Sequence, residues 1–126
     1  MFKFSKLSLQ RLEGVHPHLR SVMMHAIAIT PVDFAITEGL RTTDRQRELV
    51  VAGASKTMNS RHLTGHAVDI AAFIGRELRW DWPLYERIAE YVKQAAKTVE
   101  VPIEWGGDWK RFRDGPHFQL PWEIYP

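Results

Sequence analysis

The segment 60–73 restricts the fold of this 126-residue chain more than any other part of its sequence. It begins in a polar loop, and residues 67–73 then have the composition of a β-strand. Alternation along a strand places Val68 and Ile70 on one face and Asp69 on the other, between two alanines. We therefore expect a sheet whose Val and Ile side packs against a core. Asp69 should face away from that core, with room beside it for a bulky group.

Helix-spaced apolar residues predict two elements of the core. Pro17 stands where a first-turn proline is tolerated, and apolar residues after it recur at i, i+3, i+4, i+7 and i+8. A longer helix is expected to begin at Trp82 and Pro83 and to end near Val99, before Pro102. The apolar faces of the two helices are predicted to contain Leu19, Val22, Met23, Ala26 and Ile27, and Leu84, Ile88, Tyr91, Val92 and Ala95.

Two shorter helices are predicted from capping patterns. Ser8 is the predicted N-cap of a helix that ends near Glu13. Thr43 followed by Gln46 matches a capping box and predicts a second helix, for which Gly53 supplies the C′ residue.

The remaining pattern favours a mixed α+β fold with a small, mainly antiparallel sheet packed by helices. Further strands are predicted at residues 34–37, 103–105 and 117–120. Residues 74–77 are expected to form the turn of a hairpin that begins with the strand at residues 67–73. With 44% hydrophobic residues, the chain has enough apolar material for one core, so we expect a single domain over residues 1–126.

Composition narrows the chemistry and the partners. The chain contains no cysteine, so any metal must be held by imidazole and carboxylate groups. A formal charge of +2 and a pI near 9.1 suit weak attraction to an anionic cell wall, whereas nucleic-acid binding is not expected. Residues 1–12 lack the apolar region of a signal peptide, and no stretch approaches the roughly 20 apolar residues that span a bilayer. We therefore expect synthesis in the cytoplasm and no stable membrane insertion.

Three residues combine the side chains that a catalytic zinc ion needs. His62 precedes the central strand, Asp69 lies on its open face, and His117 lies on the last predicted strand. Two imidazoles and one carboxylate leave a fourth position for water, as catalytic zinc sites require. His62 and His66 are also four residues apart, but the HExxH motif is absent because Leu63 stands where the glutamate should be.

Three further patterns together resemble the M15 family of zinc peptidases. SxHxxGxAxD covers residues 60–69, WGGDW covers residues 105–109, and DxPHF covers residues 114–118. The resemblance runs from about Phe34 to Leu120, and it is strongest to the phage endolysins that are L-alanyl-D-glutamate endopeptidases. It implies the D,D-peptidase fold of the M15 and hedgehog-like proteins.

The same resemblance implies roles for single residues. Asp114 matches the general base of the family, and Arg41 matches the arginine that binds the substrate carbonyl and its tetrahedral intermediate. Ser60 matches the serine before the first ligand and is a candidate for substrate binding. The residues that match the zinc ligands are His62, Asp69 and His117.

Several of these residues have a competing structural interpretation. Asp114 precedes a glycine and could be a turn former, and many carboxypeptidase relatives have glutamate at this place. Arg41 could be a surface ion-pair residue. Asp108 could orient a ligand histidine or cap a turn, and His66 could line the cleft or fill space.

The leading hypothesis is an endolysin that hydrolyses the L-alanyl-D-glutamate bond of the peptidoglycan stem peptide and so lyses bacterial cells. The alternatives are a D,D-carboxypeptidase or dipeptidase that acts on D-alanyl-D-alanine termini, and a non-catalytic wall-binding module with structural zinc. The enzyme is expected to be a monomer. It would leave the cytoplasm of the producing cell with the help of a holin or another agent and would then act on the wall.

Overall fold

The computed structural model describes residues 1–126, in which four α-helices are combined with five β-strands. The helices are α1 (Lys6–Arg11), α2 (Pro17–Ile29), α3 (Thr43–Val51) and α4 (Trp82–Thr98). The strands are β1 (Asp33–Glu38), β2 (Ala67–Ile74), β3 (Glu77–Arg79), β4 (Glu104–Trp105) and β5 (His117–Gln119), and short 3-10 helices cover Arg61–Thr64 and Gly106–Asp108. The predicted α+β class with a small antiparallel sheet is confirmed.

All strand pairs are antiparallel, in the order β1-β2-β5-β4, with β3 added beside β2. The central strand β2 pairs with β1 on one side, and with β5 and β3 on the other. In this register Asp69 lies opposite Glu38 of β1 and opposite His117 of β5. Directly opposed residues share a face of the sheet. Three polar side chains from three strands are therefore neighbours on the face that carries Asp69.

The other face of the sheet packs against the helices. Val68 and Ile70 are fully buried in this core, whereas Asp69 between them is only partly buried, as the alternation predicts. The apolar residues predicted for α2 are all buried.

The apolar face of α4 is rotated from its predicted position. Tyr85 is buried in place of Leu84, and its hydroxyl accepts a hydrogen bond from Ala72 N (3.0 Å) and donates one to Arg79 O (2.8 Å). The tyrosine thus ties the helix to β2 and to the end of β3, a contact that helical periodicity cannot anticipate. None of the four helices has the combination of length and apolar surface that a membrane crossing requires.

Two predicted helix caps are wrong by a few residues. Ser5, and not Ser8, caps α1, while Ser8 is buried and its hydroxyl accepts a hydrogen bond from Ile36 N of β1. Thr42, and not Thr43, caps α3 through a bond from the backbone N–H of Arg45. In both places the sequence offers two hydroxyl residues near the helix start, and the extended backbone that a cap needs selects the earlier one.

Candidate metal centre

Three side chains of metal-ligating type, each from a different element, lie together on the polar face of the sheet. His62 lies in the 3-10 helix Arg61–Thr64, Asp69 on β2 and His117 on β5. His117 Nδ1 lies 3.1 Å from Asp69 Oδ1, and His62 Nε2 lies 3.3 Å from the same oxygen. Ligand atoms of all three residues lie within 4.8 Å of one another, so the cluster could hold a metal ion.

The ring of His62 has one tautomer imposed on it. Nδ1 lies 2.9 Å from the carbonyl oxygen of Gly39, which can only accept, so Nδ1 carries the proton. The other ring nitrogen, Nε2, is then a bare lone pair that is buried and has no hydrogen-bond partner in the protein. A buried polar atom without a partner is unusual. A cation beside Asp69 would satisfy it, and a ring N–H bonded to a backbone carbonyl is typical of metal-binding histidines.

The ring of His117 is held from both sides. Nε2 lies 2.8 Å from Gln119 Oε1, and Nδ1 lies 3.1 Å from Asp69 Oδ1. Burial acts to lower the pKa of His117, but the hydrogen bond and charge of Asp69 outweigh it and raise that pKa. Burial likewise acts to raise the pKa of Asp69, yet the hydrogen bond from His117 pulls it far below its usual range. Asp69 is therefore an anion that faces one nitrogen from each ring.

Asp114 is a second carboxyl group under the influence of this cluster. Burial and the negative charge of Asp69 raise the pKa of Asp114, against the opposing effects of His117, His62 and Arg41. A carboxylate with a raised pKa accepts a proton more readily than an exposed one.

The backbone around Asp114 depends on the absence of a side chain at Gly106. Asp114 N donates to Gly106 O (3.0 Å), and a Cβ atom on Gly106 would collide with the Asp114 carbonyl oxygen. That carbonyl also accepts from His117 N (3.1 Å). The first glycine of WGGDW therefore permits the close backbone approach that holds Asp114 beside Gly106.

Arg41 lies inside the site and is not a surface ion-pair residue. Its side chain is only 8% exposed, Nε is bonded to the Glu38 carboxylate, and Nη1 donates to Gln46 Oε1 (2.6 Å). The third nitrogen, Nη2, lies 3.7 Å from Asp69 Oδ2 and makes no hydrogen bond within the protein. One edge of the guanidinium group is thus anchored, and its remaining nitrogen faces the cluster.

These residues line an open cleft of about 820 Å³. Ser60 lies in its wall, and its hydroxyl oxygen accepts a hydrogen bond from His62 N (3.2 Å), which caps the 3-10 helix. The hydroxyl proton of Ser60 makes no hydrogen bond in the protein, so it is free to donate into the cleft. The cleft wall includes all six residues predicted as catalytic, substrate-binding or metal-binding: Arg41, Ser60, His62, Asp69, Asp114 and His117.

Two other candidates lie outside the cleft. Asp108 forms an ion pair with Lys93 of α4 (2.5 Å) and contacts no ligand histidine. His66 bonds to Thr64 Oγ1 (2.7 Å), and its ring packs against His16. Neither residue lines the cleft.

Sequence reasoning missed three residues that hold the site together. They are Gln119, which binds His117, and Gln46 and Glu38, which both bind Arg41; the capping pattern gives Gln46 a different role, and no motif includes Gln119 or Glu38. The alternation of β5 was a usable signal for Gln119. No local sequence pattern predicts that Gln46 of α3 and Glu38 of β1 bind the same arginine, Arg41.

Known proteins match this chain in both sequence and structure. A family model described as phage L-alanyl-D-glutamate peptidase matches residues 1–120. The L-alanyl-D-glutamate peptidase of Escherichia phage T5 is 32% identical over 117 residues, which cover 90% of this chain and 85% of that protein. The peptidoglycan L-alanyl-D-glutamate endopeptidase CwlK of Bacillus subtilis is 32% identical over 123 residues, 84% of this chain and 73% of that protein.

A solved structure extends the match to the fold. The crystal structure of the Serratia marcescens L-Ala D-Glu endopeptidase ChiX superimposes with a TM-score of 0.93 at 46% sequence identity. The superposition covers 98% of this chain and 94% of that one. The similarity therefore extends over nearly the whole of both chains.

Proposed function

Because the chain belongs to the phage L-alanyl-D-glutamate peptidase family, we propose that it is a zinc-dependent endopeptidase that cuts the L-alanyl-D-glutamate bond of peptidoglycan stem peptides. The observation that carries the metal part of the proposal is the buried Nε2 of His62, which has no partner and lies 3.3 Å from Asp69. Two imidazoles and a carboxylate are the ligands that a catalytic zinc site uses.

The proposed ligands are His62 Nε2, His117 Nδ1 and the carboxylate of Asp69. When bound, zinc would supply a Lewis acid that polarises the scissile carbonyl and makes water easier to deprotonate. Gly39 and Gln119 would hold the two rings in the tautomers that leave these nitrogens free.

The protein's own groups would carry the protons and the charge. Asp114 accepts a proton from the attacking water and later delivers it to the amine of the leaving D-glutamate. Arg41 Nη2, the guanidinium nitrogen without a hydrogen bond, stabilises the negative charge that develops on the carbonyl oxygen. The Ser60 hydroxyl donates to a carbonyl of the bound peptide.

Product analysis tests the bond that is cut. Purified cell wall is incubated with the zinc-loaded protein, and the released peptides are sequenced by mass spectrometry with labelling of new amines. We expect a new amine on D-glutamate and a free carboxyl group on L-alanine. Release of D-alanine alone would support a D,D-carboxypeptidase, and tight wall binding without cleavage would support a wall-binding module.

Zinc binding is tested separately from turnover. Asp69→Ala removes the charged ligand and should lower zinc affinity sharply, as measured by titration calorimetry on the chelator-treated protein. Asp108→Ala is the matched control, because this aspartate pairs with Lys93 outside the cleft. Wild-type zinc affinity in Asp69→Ala would refute the ligand assignment.

A further inference from the structure

Gln46 of α3 is a fully buried polar residue that touches two walls of the cleft. Its Oε1 accepts from Arg41 Nη1 (2.6 Å), and its Nε2 lies within donor distance of Ser55 Oγ (2.8 Å) and Thr57 O (2.5 Å). Arg41, Ser55 and Thr57 all line the cleft, whereas Gln46 itself does not. A single side chain thus joins the arginine to the loop that follows α3.

We infer that Gln46 is a positioning residue that fixes the guanidinium group of Arg41 and couples its orientation to the wall formed by residues 54–57. This inference rests on the proposed function, since it gives Arg41 a task in the reaction. Gln46 touches no reacting atom and acts only through its neighbours.

The geometry of the guanidinium group explains why a second anchor is needed. Glu38 holds Nε, and a planar group held at one nitrogen can still pivot about that contact. Gln46 holds Nη1, and two anchors on different nitrogens define the plane of the fork. The nitrogen left over, Nη2, then faces the cluster, 3.7 Å from Asp69 Oδ2, and it is this nitrogen that stabilises the oxyanion in the proposed function.

An amide is the side chain suited to this position. The residue must accept a hydrogen bond from Arg41 and donate hydrogen bonds to Thr57 O and Ser55 Oγ at the same time. Glutamate offers acceptors only, and methionine of similar length offers no strong donor or acceptor. Gln46→Glu and Gln46→Met therefore remove different parts of the network.

The first experiment is a double-mutant cycle on the cleavage of a purified stem peptide. Gln46→Met should lower kcat by about 10- to 100-fold, because a misplaced catalytic group costs up to about that much. In an Arg41→Ala background the same substitution should lower kcat no further, since the group it positions is absent. Gln46→Glu keeps the acceptor for Arg41, so kcat should fall less while KM rises as the 54–57 wall loosens.

A buried residue that only stabilised the fold would give a different result. Ser8→Ala serves as the matched control, because it removes another buried hydrogen bond, which the Ser8 hydroxyl accepts from Ile36 N, and neither residue lines the cleft. It should lower the unfolding temperature without changing kcat at temperatures where the protein is folded. If Gln46→Met lowers kcat by the same factor with and without Arg41, the positioning role is refuted.

A second readout does not require turnover. In ¹⁵N-edited NMR spectra the Nε–H of Arg41 should give a sharp, shifted signal in the wild type that broadens or moves in Gln46→Met. An unchanged signal would overturn the inference. If the wild type releases no L-alanine-terminated peptide from the wall, the proposed function fails, while this NMR measurement still decides whether Gln46 positions Arg41.

Discussion

Replacing Asp114 by asparagine should separate metal binding from turnover. Asparagine is nearly isosteric, and the hydrogen bonds that shape this segment are made by its backbone, through Asp114 N to Gly106 O and His117 N to Asp114 O. The raised pKa of Asp114 indicates that burial and the negative charge of Asp69 disfavour its ionised form. Asparagine carries no charge, so the stability of the fold should not decrease. The protein should therefore remain folded and bind zinc.

The expected loss is in the chemical step. General acid-base catalysis typically contributes about 10²- to 10⁴-fold, which at 1.36 kcal/mol for each tenfold step raises the barrier by about 2.7 to 5.4 kcal/mol. KM should change much less. The assay is the initial rate of peptide release by liquid chromatography and mass spectrometry, with zinc content measured on the same preparation.

A wild-type kcat in Asp114→Asn would refute the proton-transfer role and leave Asp114 as a turn residue. Glu104 would then be the next base to test, because it lines the cleft and pairs with Gln119 across β4 and β5. Asp108 would not qualify, since it is held by Lys93 outside the cleft. The effect of Glu104→Gln, measured in parallel, should be smaller than that of Asp114→Asn.

Two further predictions concern stability. Arg61 is 3% exposed, and its Nη2 donates to Leu120 O (3.0 Å) and Tyr125 O (2.6 Å). Arg61→Met should lower the free energy of unfolding, measured in urea, by about 2 to 4 kcal/mol, because both hydrogen bonds from the charged donor are lost and the relieved desolvation cost offsets only part of that loss. A loss under about 1 kcal/mol would contradict this. His16 caps α2 by accepting from His18 N (3.0 Å), and burial and the charges of His18 and Arg61 lower the pKa of His16 below its ordinary value of 6.5. Protons therefore bind the unfolded chain more readily, and stability is lost as the pH falls from about 6.5 through the lower folded pKa. Asparagine can cap a helix without titrating, so the unfolding temperature should fall more in the wild type than in His16→Asn when the pH is lowered from about 7 to about 5. An equal fall in both proteins would count against the capping role.

Local patterns predicted the elements well wherever one element's own geometry was sufficient. The alternation of Val68, Asp69 and Ile70 identified the buried and polar faces of β2, because successive side chains of any strand point in opposite directions. Gly53 was predicted to follow α3 because glycine adopts a left-handed conformation without strain, and in the structure it has that conformation (φ +79°) directly after the helix. Predictions that required a choice between similar neighbours were less accurate. Ser8 belongs to the helix because its hydroxyl accepts from a strand 28 residues away, which no local pattern contains.

The sequence by itself determined which side chains could form the site. With no cysteine, the motifs around His62, Asp69 and His117 left few ways to assemble a metal centre, and the spacing of β2 already turned Asp69 away from the core. Only the tertiary structure decided how those side chains are held. The tautomer of His62 depends on Gly39, and the orientation of Arg41 on Glu38 and Gln46, because hydrogen bonds form between atoms brought within about 3 Å, whatever their separation along the chain.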